Sequence, residues 1–443
     1  MTNARADHVD TKSQALFRRA EKVMPGGCSR NTIFRRPHPI YATHGEGAYV
    51  FDIDGVARID FANNMASLIH GHAPRPVVDA VSRQLEKGFA YTLGTEIEVA
   101  FAEHMVGRSE NFEKIRFVNS GTEGVMSCIK AARAFTGRAK IAKAEGAYHG
   151  SYDYAEVSQV SSPENWGEAA LPQSTPVAHG TPRAALDDVI VIPFNEINAA
   201  IARLDVHKEE IACVLLDLLP HRIGTFPAED AFVRAMRDWA DKNGALLVFD
   251  EVITFRMTYG GAQQWYDVRP DLTAMGKMIG GGFPVGAIAG RNDVMQVLDP
   301  TASPVLFPHS GTFSANPVTM TAGLTTMEMF DETAVARLNK LGDYARSTLT
   351  AAIKTADVEA CVTGAGSMFR IHLKAAPPKS YRESYLAKEE AKRLALLVRS
   401  FEDNGVLLIN SAAGVLSTAM SEADVDRLGE AAICAFQKLK SAQ

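Results

Sequence analysis

Through the middle of the chain, short apolar runs alternate with longer stretches in which apolar residues recur every three or four positions. The runs are Ile115–Val118, Val189–Ile192, Ala212–Leu216 and Leu246–Phe249. Apart from Arg116 they are continuously apolar, which is the pattern of strands buried on both faces. The stretches between them, 125–136, 196–204 and 228–243, carry helical spacing. Strands of this kind separated by helices predict an α/β fold with a mostly parallel sheet flanked by helices. Ligands of such sheets sit beyond the carboxyl ends of the strands. Ser120 and Asp250 each stand just after a strand end, so both can face one pocket.

Outside this region the pattern is more mixed. Residues 12–24 place Leu16, Ala20, Val23 and Met24 on one helical face, and Pro25-Gly26-Gly27 stops the helix. Ala48–Phe61 predicts a hairpin turning at Asp54-Gly55. Residues 75–87 and 95–107 read as helices. The stretch 151–185 is polar and rich in Ser, Pro and Gly, which predicts a long functional or mobile loop. From Pro317 a helical pattern through Met320, Leu324, Met327 and Met329 leads out of the sheet domain. Short strands such as Met368–His372 and Val406–Ile409 then alternate with helices, as expected of a smaller α+β domain.

Composition narrows the class. The chain has 443 residues, 46% of them apolar and 22% charged, as in ordinary globular proteins. A net charge of -6 without a basic stripe speaks against nucleic acid as a partner. No window approaches the roughly 18 uninterrupted apolar residues of a membrane span, and Met1–Asp10 lacks the apolar core of a secretory signal. Cys28, Cys128, Cys213, Cys361 and Cys434 show no CxxC spacing. Reduced thiols, a cytoplasmic location and no metal site are the expectation.

The candidate chemistry lies at strand ends. Leu246–Phe249 runs into Asp250, and Lys277 follows within the apolar, glycine-rich Met275–Gly282. A buried acid and a buried amine are costly to desolvate unless they serve each other or a ligand. Pyridoxal 5'-phosphate (PLP) uses both: its aldehyde takes a lysine as a Schiff base, and its protonated ring nitrogen needs an anion. Asn119-Ser120-Gly121-Thr122-Glu123 opens a helix after a strand and suits a phosphate, although Ser120-x-x-Glu123 is equally a capping box. Tyr148-His149-Gly150 offers an aromatic face to a pyridine ring, or simply packs. Asp250 can hold the ring nitrogen or cap the turn that follows. Gly280–Gly282 can also just turn the chain into the strand at Val285–Ala289. His309–Phe313 is a second turn bearing small hydroxyls.

In this order the motifs Asn119-Ser-Gly-Thr-Glu, Phe249-Asp-Glu-Val, Gly260-Gly-Ala-Gln, Pro270-Asp-Leu-Thr, Gly276-Lys-Met-Ile-Gly-Gly-Gly and Ser310-Gly-Thr-Phe closely resemble the class III, fold type I, PLP-dependent aminotransferases. The resemblance covers some two-thirds of the chain and lies in the branch near glutamate-1-semialdehyde aminomutase and β-amino-acid aminotransferases. It implies that Lys277 carries the cofactor, that Asp250 pairs with its ring nitrogen, and that Val252 and Tyr148, beside His149, enclose the ring. Ser120, Gly121 and Thr122 would bind the phosphate, with Thr312 reaching it from the second subunit of a homodimer. It further implies an N-terminal segment over residues 1–60 packing with the small domain and active site, a large PLP-binding domain over 61–325 and a small domain over 326–443.

Departures from the pattern bear on the substrate. Asp217-Leu-Leu-Pro220 replaces the common Glu-Pro, and His221-Arg222 follows. Phe255-Arg256 comes directly after Thr254, where the aminomutase pattern has a Gly. Arg30 sits where the β-amino-acid branch holds a carboxylate, while Asn410–Gly414 lacks that branch's C-terminal arginine. The expectation is an aminotransferase acting on a β-amino acid or related amine and a keto acid, with Arg30 as the leading contact for the substrate's acid group and Arg222 and Arg256 as further candidates. A 2,1-aminomutase is the alternative.

Overall fold

Seven apolar segments join into one sheet whose spatial order differs from their order along the chain. In the computed structural model, which describes residues 11–442, the strands are Lys114–Val118 (β1), Lys140–Ala144 (β2), Val189–Ile192 (β3), Ile211–Leu216 (β4), Leu246–Asp250 (β5), Leu272–Gly276 (β6) and Gly286–Gly290 (β7). Across the sheet they lie β1-β7-β6-β5-β4-β2-β3. Strands β6, β5, β4, β2 and β3 are parallel. β7 alone runs antiparallel, to β6 on one side and β1 on the other. The mostly parallel expectation holds, with a reversal that no apolar pattern encodes.

The two faces of the sheet follow from the two-residue period of a strand. The helix Gly121–Thr136 (α1) buries Val125, Cys128, Ile129 and Ala132 in one cluster with Cys213, Leu215 and Val248. The alternate residues Val214, Leu216, Leu247 and Phe249 join a second cluster with Phe232, Val233 and Met236 of Asp230–Asn243 (α2). Every residue of β4 is therefore covered, which explains its unbroken apolar run. Gly124 lets α1 lie directly on β7, since a Cβ there would come within 2.9 Å of the Ala287 carbonyl oxygen.

Pro317–Met329 (α3) and Glu332–Ala356 (α4) lead from the sheet to the C-terminal region. There an antiparallel sheet of Cys361–Thr363, Met368–His372 and Ala413–Val415 packs with Lys388–Asp403 (α5) and Glu422–Ser441 (α6). The hairpin Tyr49–Asp52 and Ala57–Asp60 turns where the sequence indicated. Its second strand pairs in parallel with Val406–Leu407, joining the N-terminal part of the chain to the C-terminal part. Just beyond it, Asn63, Asn64, Met65 and Ala66 all take left-handed φ values of 43–71°. Such a turn costs non-glycine residues roughly 1–2 kcal/mol each. It is held by Asp60, which accepts from the Asn63 amide, and by the Val415 carbonyl, which accepts from Asn63 Nδ2.

The stretch 151–185 is more ordered than a loop. It contains the helices Asp153–Glu156 and Arg183–Asp187 and a ribbon of Gly167–Glu168 with Leu171–Pro172. Arg382, from the C-terminal region, anchors it by donating to the carbonyls of Trp166, Gly167 and Glu168 and to the Glu145 carboxylate. These tertiary bonds impose structure that local sequence does not request. Among the described residues, no helix is long and apolar enough to cross a membrane.

The tightest backbone approach in the large sheet is at Gly286, where an added Cβ would lie 1.9 Å from the Ser120 carbonyl oxygen. Gly286→Ala should therefore push β7 away from the turn that opens α1. The expected loss is about 1–3 kcal/mol of stability, read as a lowered urea midpoint.

Candidate active site

Three neighbouring strands carry reactive groups at their ends. β4 leads into Asp217, β5 ends on Asp250 and β6 leads into Lys277. β4 and β5 are in register up to Leu216 and Phe249. Asp217 and Asp250 come next, side by side on strands about 4.8 Å apart, and both are buried. They line a cavity of about 170 Å³ together with Lys277, Ser120, Gly121, Thr122, Tyr148, His149 and Val252. The residues drawn from scattered motifs thus converge on one place.

Lys277 enters from a constrained backbone. It has a left-handed φ of 50°, a conformation that costs a non-glycine residue of order 1–3 kcal/mol and is kept where the surroundings demand it. Burial lowers the pKa of its amine, and the charges of Asp250 and Asp217 oppose that shift. Asp250 Oδ2 lies 2.7 Å from His149 Nδ1, and Oδ1 accepts from the Val252 amide at 3.1 Å. Burial depresses the His149 pKa against the pull of Asp250. The ring is then neutral at pH 7 and donates its Nδ1 hydrogen to the carboxylate. Asp217 Oδ1 accepts from the Leu219 amide at 3.0 Å. Burial, and then the neighbouring Asp250 charge, push its carboxyl up to about 8.

The capping reading of the first turn and the ligand reading coexist. Ser120 Oγ accepts from the Glu123 amide at 3.1 Å, and the Glu123 carboxylate accepts from the Asn119 amide at 2.8 Å. The first amides of α1, at Gly121 and Thr122, precede any intrahelical bond and suit an anion. Glycines keep the cradle open and tightly drawn. A Cβ at Gly121 would lie 2.7 Å from Val252 Cγ1, and one at Gly150 would lie 2.5 Å from Thr122 Oγ1. The adjacent Glu251 takes no part in the cavity. It is buried and accepts from the Ala262 and Gln263 amides at 2.6 and 3.0 Å, fixing that turn.

A group of cations lies near Tyr148, outside the cavity lining. Arg222 is exposed, with its guanidinium carbon 5.5 Å from the centroid of the Tyr148 ring. Arg370 is buried and donates to the His221 carbonyl at 2.7 Å, while its Nε has no partner among the described residues. Burial, followed by the Arg222 charge, brings the Arg370 pKa down to about 10. Lys143 is buried beneath, donating to the carbonyls of Ala147 and Val157 at 3.0 and 2.6 Å. Among the described residues, no carboxylate pairs with Arg222 or Arg370. The sequence reading missed Asp217, Lys143 and Arg370 as parts of this region. For Asp217 the signal was present: like Asp250, it ends an entirely apolar run.

The remaining candidates, like Arg222, lie outside the cavity lining. Arg30 is exposed and donates to Asn64 Oδ1 at 2.8 Å. Asn410, in the stretch without an arginine, donates to the Thr32 carbonyl at 3.1 Å and so lies close to the same N-terminal segment. Thr312 is exposed and lines a separate cleft with Tyr91, Leu93 and Ser314. Arg256 is fully buried, with Nε donating to Ser367 Oγ at 2.8 Å and Nη2 to the Leu416 carbonyl. Its guanidinium ties the turn after β5 to the C-terminal region.

An amine and a carboxylate facing across a cavity, beside free helix amides and an aromatic ring, define a site for a phosphate-bearing aldehyde with a basic ring. The chain belongs to the class III aminotransferases, whose family pattern it matches over residues 33–421. It is 45% identical to an omega-transaminase of known structure from Sphaerobacter thermophilus, with a TM-score of 0.95 over 98% of this chain and 99% of that one. A transaminase solved with PLP bound is 38% identical, with a TM-score of 0.90 over 97% and 98% of the two chains. A β-phenylalanine aminotransferase from Variovorax paradoxus is 33% identical, with a TM-score of 0.84 over 95% and 92%. Glutamate-1-semialdehyde 2,1-aminomutase from Methanothermobacter thermautotrophicus is 38% identical over 84% of this chain and 86% of its own length. The protein is a PLP-dependent enzyme of the aminotransferase class. The cradle glycines, the free helix amides and the Asp250–His149 pair fit that cofactor.

Arg256 gives a test independent of catalysis. Arg256→Ala strands the Ser367 hydroxyl and the Leu416 carbonyl in the core. The variant should lose about 2–4 kcal/mol of stability, measured by urea unfolding with no amine donor present.

Proposed function

We propose that this enzyme moves an amino group from a carboxylate-bearing amine, foremost a β-amino acid, to a keto acid by a ping-pong sequence. The convergence of Lys277 and Asp250 on one cavity beside the opening turn of α1 carries this reading. PLP, when bound, supplies an aldehyde that captures amines and a cationic ring that takes up electrons from the donor carbon. Lys277 would hold the aldehyde, and its free amine would move the proton at the donor carbon. Its lowered pKa suits it to that task. Asp250 keeps the ring nitrogen protonated, and His149 orients Asp250 through the 2.7 Å bond. Ser120, Gly121 and Thr122 hold the phosphate, while Tyr148 and Val252 bracket the ring.

Arg222, beside Tyr148 and without an acidic partner among the described residues, is the leading contact for the donor's carboxylate. Arg30, held by Asn64, is the second. Arg256, fully buried with Nε and Nη2 tied to Ser367 and Leu416, is the weakest of the three candidates. The similarity to a β-phenylalanine aminotransferase supports a β-amino donor. A homodimer with shared active sites accounts for Thr312, which lies on a surface that also exposes Phe89, Leu93, Leu306 and Phe313 at 58–82%. Free cysteines suit a cytoplasmic setting.

The second reading is a 2,1-aminomutase, which returns the amine to the molecule it came from. It is favoured by the curated relatives of that name at 34–38% identity. A mutase consumes its substrate without a keto acid, whereas a transaminase stops after a single turnover until pyruvate or 2-oxoglutarate is added.

Borohydride reduction of the yellow holoenzyme should leave the cofactor's mass on the peptide bearing Lys277 and on no other; label elsewhere ends this reading. Arg222→Gln should raise KM for a β-amino acid about 10–100-fold, the worth of a charged hydrogen bond, while kcat/KM for a neutral amine changes less than about twofold. Equal losses for both donors would remove Arg222 from the carboxylate contact.

A further inference from the structure

The carboxyls that end β4 and β5 create an electrostatic problem that the fold must solve. Asp217 and Asp250 stand at equivalent positions of two parallel, adjacent strands, both buried and both lining one cavity. Two carboxylates this close in a dry site do not both ionise. We propose that Asp217 and Asp250 share one proton at neutral pH and that Asp217 carries it, making Asp217 a hydrogen-bond donor to the occupant of the cavity and a positioning residue for transamination.

The hydrogen bonds decide which member is neutral. Asp250 accepts from two donors, the His149 imidazole and the Val252 amide. Among the described residues, Asp217 accepts only from the Leu219 amide, on Oδ1. A carboxylate with more donors is the better anion, so the proton goes to its neighbour. The other groups around Asp217 do not reverse this. Lys277, from the end of β6, favours its ionised form, but burial weakens the proton hold of that amine. Glu251, just beyond β5, and the ionised Asp250 both disfavour it. His221, in the turn that follows Asp217, is kept neutral by burial. The Tyr266 hydroxyl is held by the carbonyls of Leu218 and Ala228, and burial pushes its pKa upward, so it stays neutral and brings no negative charge.

The direction of the pH effect follows. Below about 8, Asp217 is neutral and able to donate; as pH rises through that value it ionises, the donor disappears and a second negative charge appears beside Asp250 and Lys277. Asn at this position is neutral and retains a donor at every pH. The inference builds on the proposed role of Asp250, and its failure is distinguishable from failure of that role. Borohydride labelling reports Lys277, whereas the observable here is a protonated carboxyl.

Infrared difference spectra of the holoenzyme, and of the protein stripped of cofactor, should show a protonated carboxyl band at pH 7 that fades as pH passes about 8. Glu251, which burial pushes up to about 7, adds a component of its own at that pH; Asp217→Asn should remove the component that fades past about 8, and Glu251→Gln should leave it. In Asp250→Asn the band should persist and its midpoint should fall, because the repelling charge is gone. The alkaline limb of kcat/KM should vanish in Asp217→Asn or move up by at least about one pH unit, a change that a purely structural role would not produce. A band that survives in Asp217→Asn and is lost in Asp250→Asn overturns the assignment, as does an unshifted pH profile. Should Asp217→Asn fail to fold, the Asp250→Asn band alone decides: its persistence at a lower midpoint supports the pair, and its loss refutes it.

Discussion

The whole arrangement depends on keeping charge out of water at the ends of three adjacent strands. Desolvating an isolated ion costs many kcal/mol, and the fold offsets that cost locally. Asp250 takes a neutral imidazole and a backbone amide, Lys277 faces two acids, and Asp217 sits where a proton relieves repulsion. A sheet is well suited to this, because hydrogen-bonded pairing holds neighbouring strands about 4.8 Å apart. The adjacent Glu251 shows the contrast. Its carboxylate faces away from the cavity, is satisfied by the Ala262–Gln263 turn, and serves only to hold the chain.

Close packing turns this electrostatic layout into a binding site. Gly121, Gly124 and Gly286 remove side chains where α1, Val252 and β7 approach most nearly. The opening turn of α1 is thereby brought beside the cavity, with its unpaired amides available. The C-terminal region closes the other side. Arg370 holds the His221 carbonyl, Arg256 holds Leu416, and Arg382 gathers the 166–168 segment. The cationic group near Tyr148 and the ordered 151–185 stretch both derive from contacts far apart in sequence.

That distribution explains what could be read from the chain beforehand. β3, β4 and β5 were legible because burial on both faces leaves an unbroken apolar run. β2 was not among the apolar runs, since Lys143 interrupts it with a charge that the fold buries on two carbonyls. β6 was hidden because Leu272-Thr-Ala-Met-Gly has little of the β-branched character of a strand and was absorbed into the glycine-rich stretch around Lys277. The reversal of β7 depends on the tight turn at Gly280–Gly282 and on pairing with β1, neither of which an apolar pattern reports. In the site, Lys277 and Asp250 stood out as charges in apolar surroundings. Arg222 and Arg256 looked alike in sequence, and only tertiary contacts separate an exposed cation against Tyr148 from a buried tie to Ser367. Asp217 was seen as a departure from a family pattern rather than as a strand-end acid in its own right.

The left-handed backbone at Lys277 follows a strand hydrogen-bonded on both edges, to β5 on one side and the reversed β7 on the other. Beyond it, the turn Lys277–Gly280 packs on α3. The pivot of this side chain is therefore clamped from every direction. Whatever travel the amine needs must come from torsions about its own methylene arm, a lever on a fixed bearing, rather than from any flexing of the main chain.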